Sequence, residues 1–422
     1  MHIYSRPYTP LFQRLIQIEI ETFRLACFFS ALTFYAIAGL PTPDHPGVAE
    51  IIIAGLLILA VGLPDAAAAL RPGLQEIPWK FFGKALLIYG LSVALVAGVM
   101  QGHPASLILR DMIPFMFLVL PVLMAGLSER PASPRLMLAG VLMVGLVFAL
   151  RAVIEAYHGI LPLLFFSKSS ELTYLANAPT ILFAGLFLFG AAGERLLREF
   201  TLRSLMIFIF CTGLALLTLL PPLLTAQRAS MAYAVFYVAI VGVLGLYYYP
   251  RRMIVIIAMI AAAALPLSGI ISHAVDQLMQ KHVLVGLNMR AQELQAIWQR
   301  ITETPFTLIF GTGWGGTFES PAVGGVRVNF THSLLTSAVL KTGMAGFILV
   351  ILYLFSLAGV LLALIRRNPV LALALAGPVL IDTFLYASFK SFDFGLILLL
   401  ITAFAAPPLK LHKHAACCIQ KD

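Results

Sequence analysis

The residues best suited to chemistry lie in one polar interval of an otherwise apolar chain. This interval runs from His273 to Thr331, contains the glycine cluster GTGWGGTF at 311–318, and ends immediately before His332, where apolar sequence resumes. A neutral imidazole can accept a proton from a hydroxyl group, so His332 is a candidate general base. A histidine that only satisfies backbone groups at a helix start would occupy the same position.

The composition indicates which elements must position these residues. Hydrophobic residues make up 60% of the 422 residues and charged residues 11%, and the mean hydropathy is +0.96. These values lie far outside the range of soluble domains. A helix rises about 1.5 Å per residue, so about 20 apolar residues cross a hydrocarbon core of about 30 Å. The sequence therefore predicts an all-α, polytopic integral membrane protein.

About twelve apolar stretches are long enough to be transmembrane helices. They are residues 22–40, 49–65, 82–100, 108–127, 136–156, 174–192, 204–224, 230–248, 253–272, 343–365, 369–387 and 392–408. Most of the 28 Lys and Arg residues fall in connections on the side of the two termini, which predicts cytoplasmic termini. The chain, 1–422, is then a single transmembrane domain with a large outer insertion, 273–342, between helices 9 and 10.

Basic residues on the outer side need a local reason, because they oppose this orienting charge bias. Arg228 lies in the short outer turn TAQRAS, and Arg290 lies in the insertion. Arginine keeps its charge at any working pH, and its planar fork fits phosphate bidentately, which suits a pyrophosphate at the membrane surface. An ion pair or a helix-end cap is the alternative explanation, and for Arg110, Arg151 and Arg327 it is the favoured one.

Other kinds of site have less support. The glycine cluster permits positive φ and close backbone approach, but it lacks the Lys-Ser/Thr of a P-loop, so it predicts a turn that shapes the site. His273 and His282 do not form a metal-binding spacing with His332, and we predict neither a metal nor a cofactor. The net charge of +9 follows from the membrane orientation, so no nucleic-acid partner is predicted.

The order of these residues resembles a known family, the O-antigen ligase (WaaL) family of the Wzy_C superfamily. The matching positions are Arg228 within LLTAQRASMA, Arg290, Trp298, Ile301, Pro305, the GTGWGGTF cluster, THSLL at Thr331–Leu335, Gly343 and Gly346. The resemblance covers the topology of the whole chain and is specific over about 225–350. Two positions depart from the family pattern: Ser333 stands where Asn is usual, and Gln227 stands where Ser is frequent.

The resemblance implies a GT-C-type glycosyltransferase at the periplasmic face of the bacterial inner membrane. It would transfer O-antigen polysaccharide from undecaprenyl pyrophosphate to a hydroxyl of lipid A-core, without a metal ion. Arg228 and Arg290 would hold the pyrophosphate, and His332 would activate the acceptor hydroxyl or assist at the phosphate. Further positions expected to contact substrate are Lys281, Arg300, Gly311, Gly313 and Lys341.

Carboxylates are scarce around these positions. Between Arg290 and His332 the acids are Glu293, Glu303 and Glu319, and none adjoins the histidine in sequence. A covalent glycosyl intermediate needs a carboxylate nucleophile, so a single displacement with inversion is expected. Glu293 is expected to be a helix-face partner of a basic residue rather than a catalyst. Some family members have an acid near the end of the chain, and here both Asp382 and Asp393 are candidates.

Three other functions stay open. An O-antigen polymerase uses the same donor but a second lipid-linked glycan as acceptor. A protein O-oligosaccharyltransferase commonly has a soluble domain after its last span, and here only about fifteen residues follow the last predicted one. A transporter would have buried paired charges, broken helices and an internal repeat, and no repeat is evident.

Overall fold

The computed structural model describes residues 11–40, 47–130, 133–160, 169–264, 269, 276 and 289–405; for 11–18, 158–160, 169–171 and 262–264 it describes only the backbone. Almost all regular structure in this part is helical. The helices are α1 (Leu11–Ala38), α2 (Val48–Ala69), α3 (Pro78–Tyr89), α4 (Leu95–Met100), α5 (Ala105–Leu118), α6 (Leu120–Leu123), α7 (Ala125–Ser128), α8 (Ser133–Ile160), α9 (Ser169–Ala176), α10 (Pro179–Glu199), α11 (Leu202–Leu224), α12 (Arg228–Tyr248), α13 (Pro250–Ala264), α14 (Arg290–Ile301), α15 (Pro305–Phe310), α16 (Leu334–Ile365), α17 (Pro369–Phe384) and α18 (Phe392–Ala405). Strands β1 (Phe318–Ser320) and β2 (Val326–Val328) form one antiparallel hairpin.

The fold is that of an all-α polytopic membrane protein. Within the described residues, eight helical stretches are long and apolar enough to cross a membrane. They are Glu19–Ala38, Val48–Ala69, Pro78–Met100, Ser133–Tyr157, Pro179–Glu199, Leu202–Leu224, Arg228–Tyr248 and Leu334–Ile365. Helices α17 and α18 are apolar but shorter. Each predicted span coincides with helix over much of its length, and the number of twelve crossings stays a prediction.

Helix α18 forms the centre of the bundle. Its residues from Phe392 to Ala403 are buried without interruption, and it packs against α5, α6, α8, α10, α16 and α17. A helix that is apolar on every side finds its favourable environment among other helices. The polar side chain of Asp393 is accommodated there by hydrogen bonds from the hydroxyls of Tyr35 and Thr180.

Several spans are interrupted. The backbone of α2 is non-helical at Gly62 and that of α16 at Gly343, both with positive φ. A π-helical turn, Gly90–Ala94, separates α3 from α4. The span predicted at 108–127 consists of three pieces, α5, α6 and α7, that break at Val119 and Met124. Because a break leaves backbone groups without helical partners, other elements must satisfy these groups.

The glycine cluster provides hydrogen-bond partners for backbone carbonyls at two of these interruptions. The N–H groups of Thr312 and Gly313 donate to the carbonyls of Leu340 (2.9 Å) and Lys341 (3.0 Å), just before the break in α16. Trp314 donates its backbone N–H to Ala94 (3.1 Å) and its indole N–H to Gly90 (2.8 Å) in the π-helical turn. The turn is therefore wedged between α3–α4 and α16.

Gly311 and Gly343 cross at backbone contact. Both have positive φ, 78° and 63°. A Cβ on Gly311 would lie 2.4 Å from the Gly343 nitrogen, and a Cβ on Gly343 would lie 2.3 Å from the Gly311 nitrogen. Only residues without a side chain permit this approach.

Candidate active site

Helix α14 positions the first part of the site through its buried face. Glu293, Ile297 and Ile301 are spaced by four residues and are buried, while Leu294 and Trp298 are exposed. Ile297 and Ile301 pack with Phe318 of β1 and Leu340 of α16. This apolar contact fixes the helix against α16, so that the carboxylate of Glu293 faces the start of α16.

His332 and Glu293 form a hydrogen-bonded pair. One carboxylate oxygen of Glu293, Oε1, accepts the backbone N–H of His332 at 3.0 Å, and the other, Oε2, lies 2.5 Å from Nδ1 of the imidazole. The Glu293 side chain is only 3% exposed, whereas that of His332 is 34% exposed. Ser333 caps α16 by accepting the N–H of Thr336 at 3.2 Å, so His332 lies in the extended segment just before the helix.

This geometry sets the chemistry of the imidazole. A carboxylate accepts hydrogen bonds but does not donate them, so the ring proton is held on Nδ1. Nε2 then carries a lone pair, and it has no hydrogen-bond partner among the described residues. A histidine whose Nδ1–H is fixed by a buried carboxylate, with Nε2 open, can accept a proton from a hydroxyl group. The sequence predicted a basic partner for Glu293 without identifying it, and in the structure this partner is His332 on another segment.

The positive charges of Arg290 and Arg228 both act on a second side chain, Tyr386, in the connection between α17 and α18. The Arg290 guanidinium donates to the carbonyl of Leu385 at 2.8 Å, and its buried Nε has no partner in the described part of the chain. Burial raises the pKa of the Tyr386 hydroxyl, and the positive charges of Arg290 and Arg228 counteract this rise. Both guanidinium groups therefore act on the same small region, although α12 and α14 are far apart in sequence.

Lys390 lies on the same connection, four residues beyond Tyr386. Its ammonium lies 5.5 Å from the ring centre of Phe330, and the Phe330 and His332 rings meet edge to face at 6.0 Å. The pKa of Lys390 is lowered to about 7, chiefly because burial disfavours its charged form. The positive charges of Lys341 and Arg110 lower this pKa further, and the negative charges of Asp111 and Glu293 oppose the decrease. Sequence reasoning did not identify Lys390, because nothing in SFKSFD distinguishes it from a loop lysine.

An apolar groove leads to the two arginines. It lies between α12 and α17, has a volume of about 420 Å³, and is lined by Ala229, Ala232, Tyr233, Phe236, Leu380, Ile381, Phe384 and Leu385. Phe236, Leu380 and Phe384 are half exposed. One end of the groove is at Ala229, next to Arg228, and at Leu385, whose carbonyl binds Arg290.

Four of the positions predicted to contact substrate belong to the packing of the glycine turn or to helix ends. Gly311 and Gly313 are buried, and their N–H groups donate to Thr307 (2.8 Å) and Lys341 (3.0 Å). Lys341 is 2% exposed, with Nζ 2.5 Å from both Asp111 and the carbonyl of Gly316. Arg300 pairs with Glu303. These groups are engaged within the chain, so we do not include them in the site; Lys281, His273 and His282 lie outside the described residues.

The two acids near the end of the chain have different surroundings. Asp393 is fully buried and bonded to Tyr35 and Thr180 in the bundle centre. Asp382 accepts from the Ser388 hydroxyl at 2.5 Å, and its other oxygen has no partner in the described part of the chain. The charge of Asp382 also acts on Tyr386, so it is the acid nearer the arginines. The described residues contain no cluster of three His, Cys, Asp or Glu side chains that could hold a metal ion.

No protein-family model matches the chain, and a search of curated proteins finds no significant match. The likeness to O-antigen ligases is therefore a resemblance in the order of residues.

Proposed function

We propose that this protein is a glycosyltransferase of the inner membrane that transfers O-antigen polysaccharide from undecaprenyl pyrophosphate to a hydroxyl of lipid A-core. The observation that carries the proposal is the His332–Glu293 pair, with Nε2 open beside two convergent arginines. A base next to a cationic pocket is the arrangement that a transfer from a diphosphate to a hydroxyl requires.

The reaction is a single displacement. Nε2 of His332 takes the proton of the acceptor hydroxyl as its oxygen forms a bond to the anomeric carbon of the donor sugar. The bond from that carbon to the diphosphate oxygen breaks, and the electron pair stays with the diphosphate. Arg228 and Arg290 stabilise the growing negative charge, and Glu293 stabilises the imidazolium. The displacement inverts the anomeric configuration, which proton NMR coupling constants of the product will show.

The apolar groove supports a lipid-linked donor. A polyprenyl chain needs an apolar surface that is accessible from the hydrocarbon core, and its diphosphate needs cations at the membrane surface. The groove between α12 and α17 offers the first and leads to Arg228 and Arg290, which offer the second. The donor would therefore lie with its lipid along α12.

Arginine in place of a metal ion explains why the transfer would not need a divalent cation. Mg²⁺ commonly neutralises a diphosphate, and here the two guanidinium groups take that role. We expect full activity in EDTA. Loss of activity in EDTA that one divalent cation restores would contradict this part of the mechanism.

In the proposed membrane orientation, both termini lie in the cytoplasm and the site faces the periplasm. A reporter fused after Thr317 should then score periplasmic, and one fused after Asp422 cytoplasmic. The same side for both fusions would overturn this orientation.

The direct test is reconstitution. Purified protein in vesicles receives lipid-linked glycan and, in separate reactions, lipid A-core, a second lipid-linked glycan, or an acceptor protein. Joining to lipid A-core alone supports the ligase, whereas the other two products would identify a polymerase or a protein O-oligosaccharyltransferase. His332→Ala should abolish joining, while Arg367→Ala, an exposed cation on the connection after α16, serves as the matched control.

A transporter is the second candidate, favoured by the interruptions at Gly62 and Gly343 and by the buried Lys341–Asp111 pair. Broken helices and intramembrane charges are typical of transporters. The same vesicles decide between the two: movement of labelled lipid-linked glycan across the bilayer without any joined product would favour transport.

A further inference from the structure

Two separate groups of cations flank the His332–Glu293 pair. Arg228 and Arg290 act on Tyr386, on the side of the apolar groove. Lys390 is influenced by a different set of charges, those of Asp111, Lys341, Arg110 and Glu293. Glu293 follows Arg290 by three residues on α14, and its charge also acts on Lys390, so the pair is close enough to both groups to interact with them.

Lys390 contacts aromatic rings but has no polar partner in the described part of the chain. In the part of the chain that the structure describes, its ammonium makes no hydrogen bond or ion pair, and it lies over the rings of Phe330 (5.5 Å) and Phe389 (5.8 Å). Asp111, the acid whose charge acts most on Lys390, is already engaged. Its Oδ2 accepts both from Nζ of Lys341 at 2.5 Å and from the N–H of Gly315 at 2.7 Å.

Lys390 also lines a small cavity with Asp111, Ser337 and Lys341. The cavity has a volume of about 50 Å³. At roughly 10–15 Å³ for each water site, this is room for about four waters or one small charged group, not for a sugar ring. Arg110, next to Asp111, is exposed and forms no ion pair with any described residue.

We propose that Lys390, assisted by Arg110, binds an anionic substituent of the acceptor, a phosphate or a carboxylate, beside the cavity that it lines. This inference rests on the proposed function. A half-buried cation that forms no hydrogen bond or ion pair with any described residue is unfavourable for the fold, and an anion that reaches it would offset this cost.

The acceptor is favoured over the donor by position. The groove and the arginines at Tyr386 are suited to the lipid diphosphate, so they lie on the donor side. Lys390 reaches His332 through Phe330, whose ring contacts both side chains. A charged group attached to the sugar whose hydroxyl meets Nε2 would therefore find Lys390 within the same site.

The test varies the enzyme and the acceptor together. Wild type, Lys390→Gln and Lys390→Arg are assayed with lipid A-core and with the same acceptor after phosphatase treatment or after methyl esterification of its carboxylates. A charge-assisted hydrogen bond is worth at least about a tenfold change in affinity. We expect Lys390→Gln to raise the acceptor KM about tenfold or more with the charged acceptor only. The donor KM should not change, and Lys390→Arg should stay within about threefold of wild type.

The arms of the experiment also identify the group. Loss of the difference after phosphatase assigns a phosphate, and its loss after esterification assigns a carboxylate. An equal effect of Lys390→Gln on every acceptor, or an increase confined to the donor KM, would overturn the inference. Absence of any transfer by wild type would instead overturn the proposed function. Arg366→Gln, an exposed cation at the C-terminal end of α16, is the control.

The pH dependence gives a readout that a merely structural lysine would not. With a pKa of about 7, Lys390 is charged below and neutral above that pH. The charges facing it are Asp111 and Arg110 on α5, Lys341 on α16 and Glu293 on α14, while Asp382 and Asp393 on the flanking helices bond to hydroxyls. The acceptor KM of wild type should rise above about pH 7, and that of Lys390→Arg should not. Parallel profiles for the two proteins would contradict the proposed contact.

Discussion

Replacement of Glu293 by Gln should abolish the proposed transfer without unfolding the protein, because it reverses the tautomer of His332. The wild-type carboxylate accepts two hydrogen bonds, from the backbone N–H of His332 at 3.0 Å and from Nδ1 at 2.5 Å. A glutamine in the same place has one acceptor oxygen and one donor nitrogen. The backbone N–H can only donate, so the amide oxygen must face it. The amide nitrogen then faces Nδ1, which has to accept, and the ring proton moves to Nε2.

The size of the effect follows from the role of the base. With its proton on Nε2, the imidazole cannot take a proton from the acceptor hydroxyl. General-base catalysis contributes about 10²–10⁴-fold to a rate. At about 1.36 kcal/mol for each factor of ten, this is about 2.7–5.4 kcal/mol of transition-state stabilisation. Shape and hydrogen-bond number are preserved, so the melting temperature should change little.

The assay measures kcat for transfer from lipid-linked glycan to lipid A-core, together with thermal melting in the same detergent. Glu303→Gln is the matched control, because Glu303 lies just after the same helix but is exposed and pairs with Arg300. His332→Ala gives the floor of activity.

A clear result would refute this reasoning. If Glu293→Gln keeps more than about a third of wild-type kcat while His332→Ala is inactive, the carboxylate does not control the tautomer. If both variants remain active, His332 is a helix-start residue and the site lies elsewhere.

Three further outcomes are expected. Arg228→Lys and Arg290→Lys should each reduce kcat nearly as much as the alanine variants, because the bidentate fork is lost although the charge remains. Full activity of both Lys variants would mean that the arginines serve only to balance charge. Ala232→Phe should fill the groove and raise the KM for a long-chain donor about tenfold, but it should not raise the KM for a short-chain analogue. Val235 is exposed on the same helix outside the groove, so Val235→Phe should change neither KM. Equal KM values for Ala232→Phe and wild type would remove the groove from the mechanism. Asp111→Ala should leave the buried ammonium of Lys341 without its carboxylate and lower the free energy of unfolding by about 3–5 kcal/mol. Thermal or denaturant unfolding measures this change. An unchanged stability would mean that the Lys341–Asp111 pair does not hold the glycine turn.

The helical membrane fold could be predicted from the sequence because hydrophobicity alone determines which segments enter lipid. The interruptions could not. Gly343 breaks α16 because Gly311 crosses it at backbone contact, and the freed carbonyls are satisfied by a turn about thirty residues earlier. Local sequence contains no signal of such a pairing. The short breaks at Val119 and Met124 were missed for the same reason, since an apolar run reads as continuous helix.

The site was partly accessible from sequence. His332, Arg228 and Arg290 were selected by residue type, predicted side of the membrane and order, and the structure brings them to one end of the bundle, although their roles stay predictions. The partner of Glu293 could not be identified, because helical periodicity shows only neighbours on the same helix and His332 lies on another segment. Lys390 was overlooked, because its burial and freedom from ion pairs depend on elements that pack around it.

The carbonyl of Leu385, which binds the Arg290 guanidinium, belongs to the connection before α18. Lys390 belongs to it too, and both are made by the ribosome after every other residue of the site. A nascent chain can therefore form the His332–Glu293 pair before Leu385 is made, whereas the hydrogen bond from Arg290 to Leu385 has to wait for this last connection. For the proposed reaction, activity would begin only when membrane insertion is finished. A partly synthesised chain would thus leave the lipid-linked sugars around it intact.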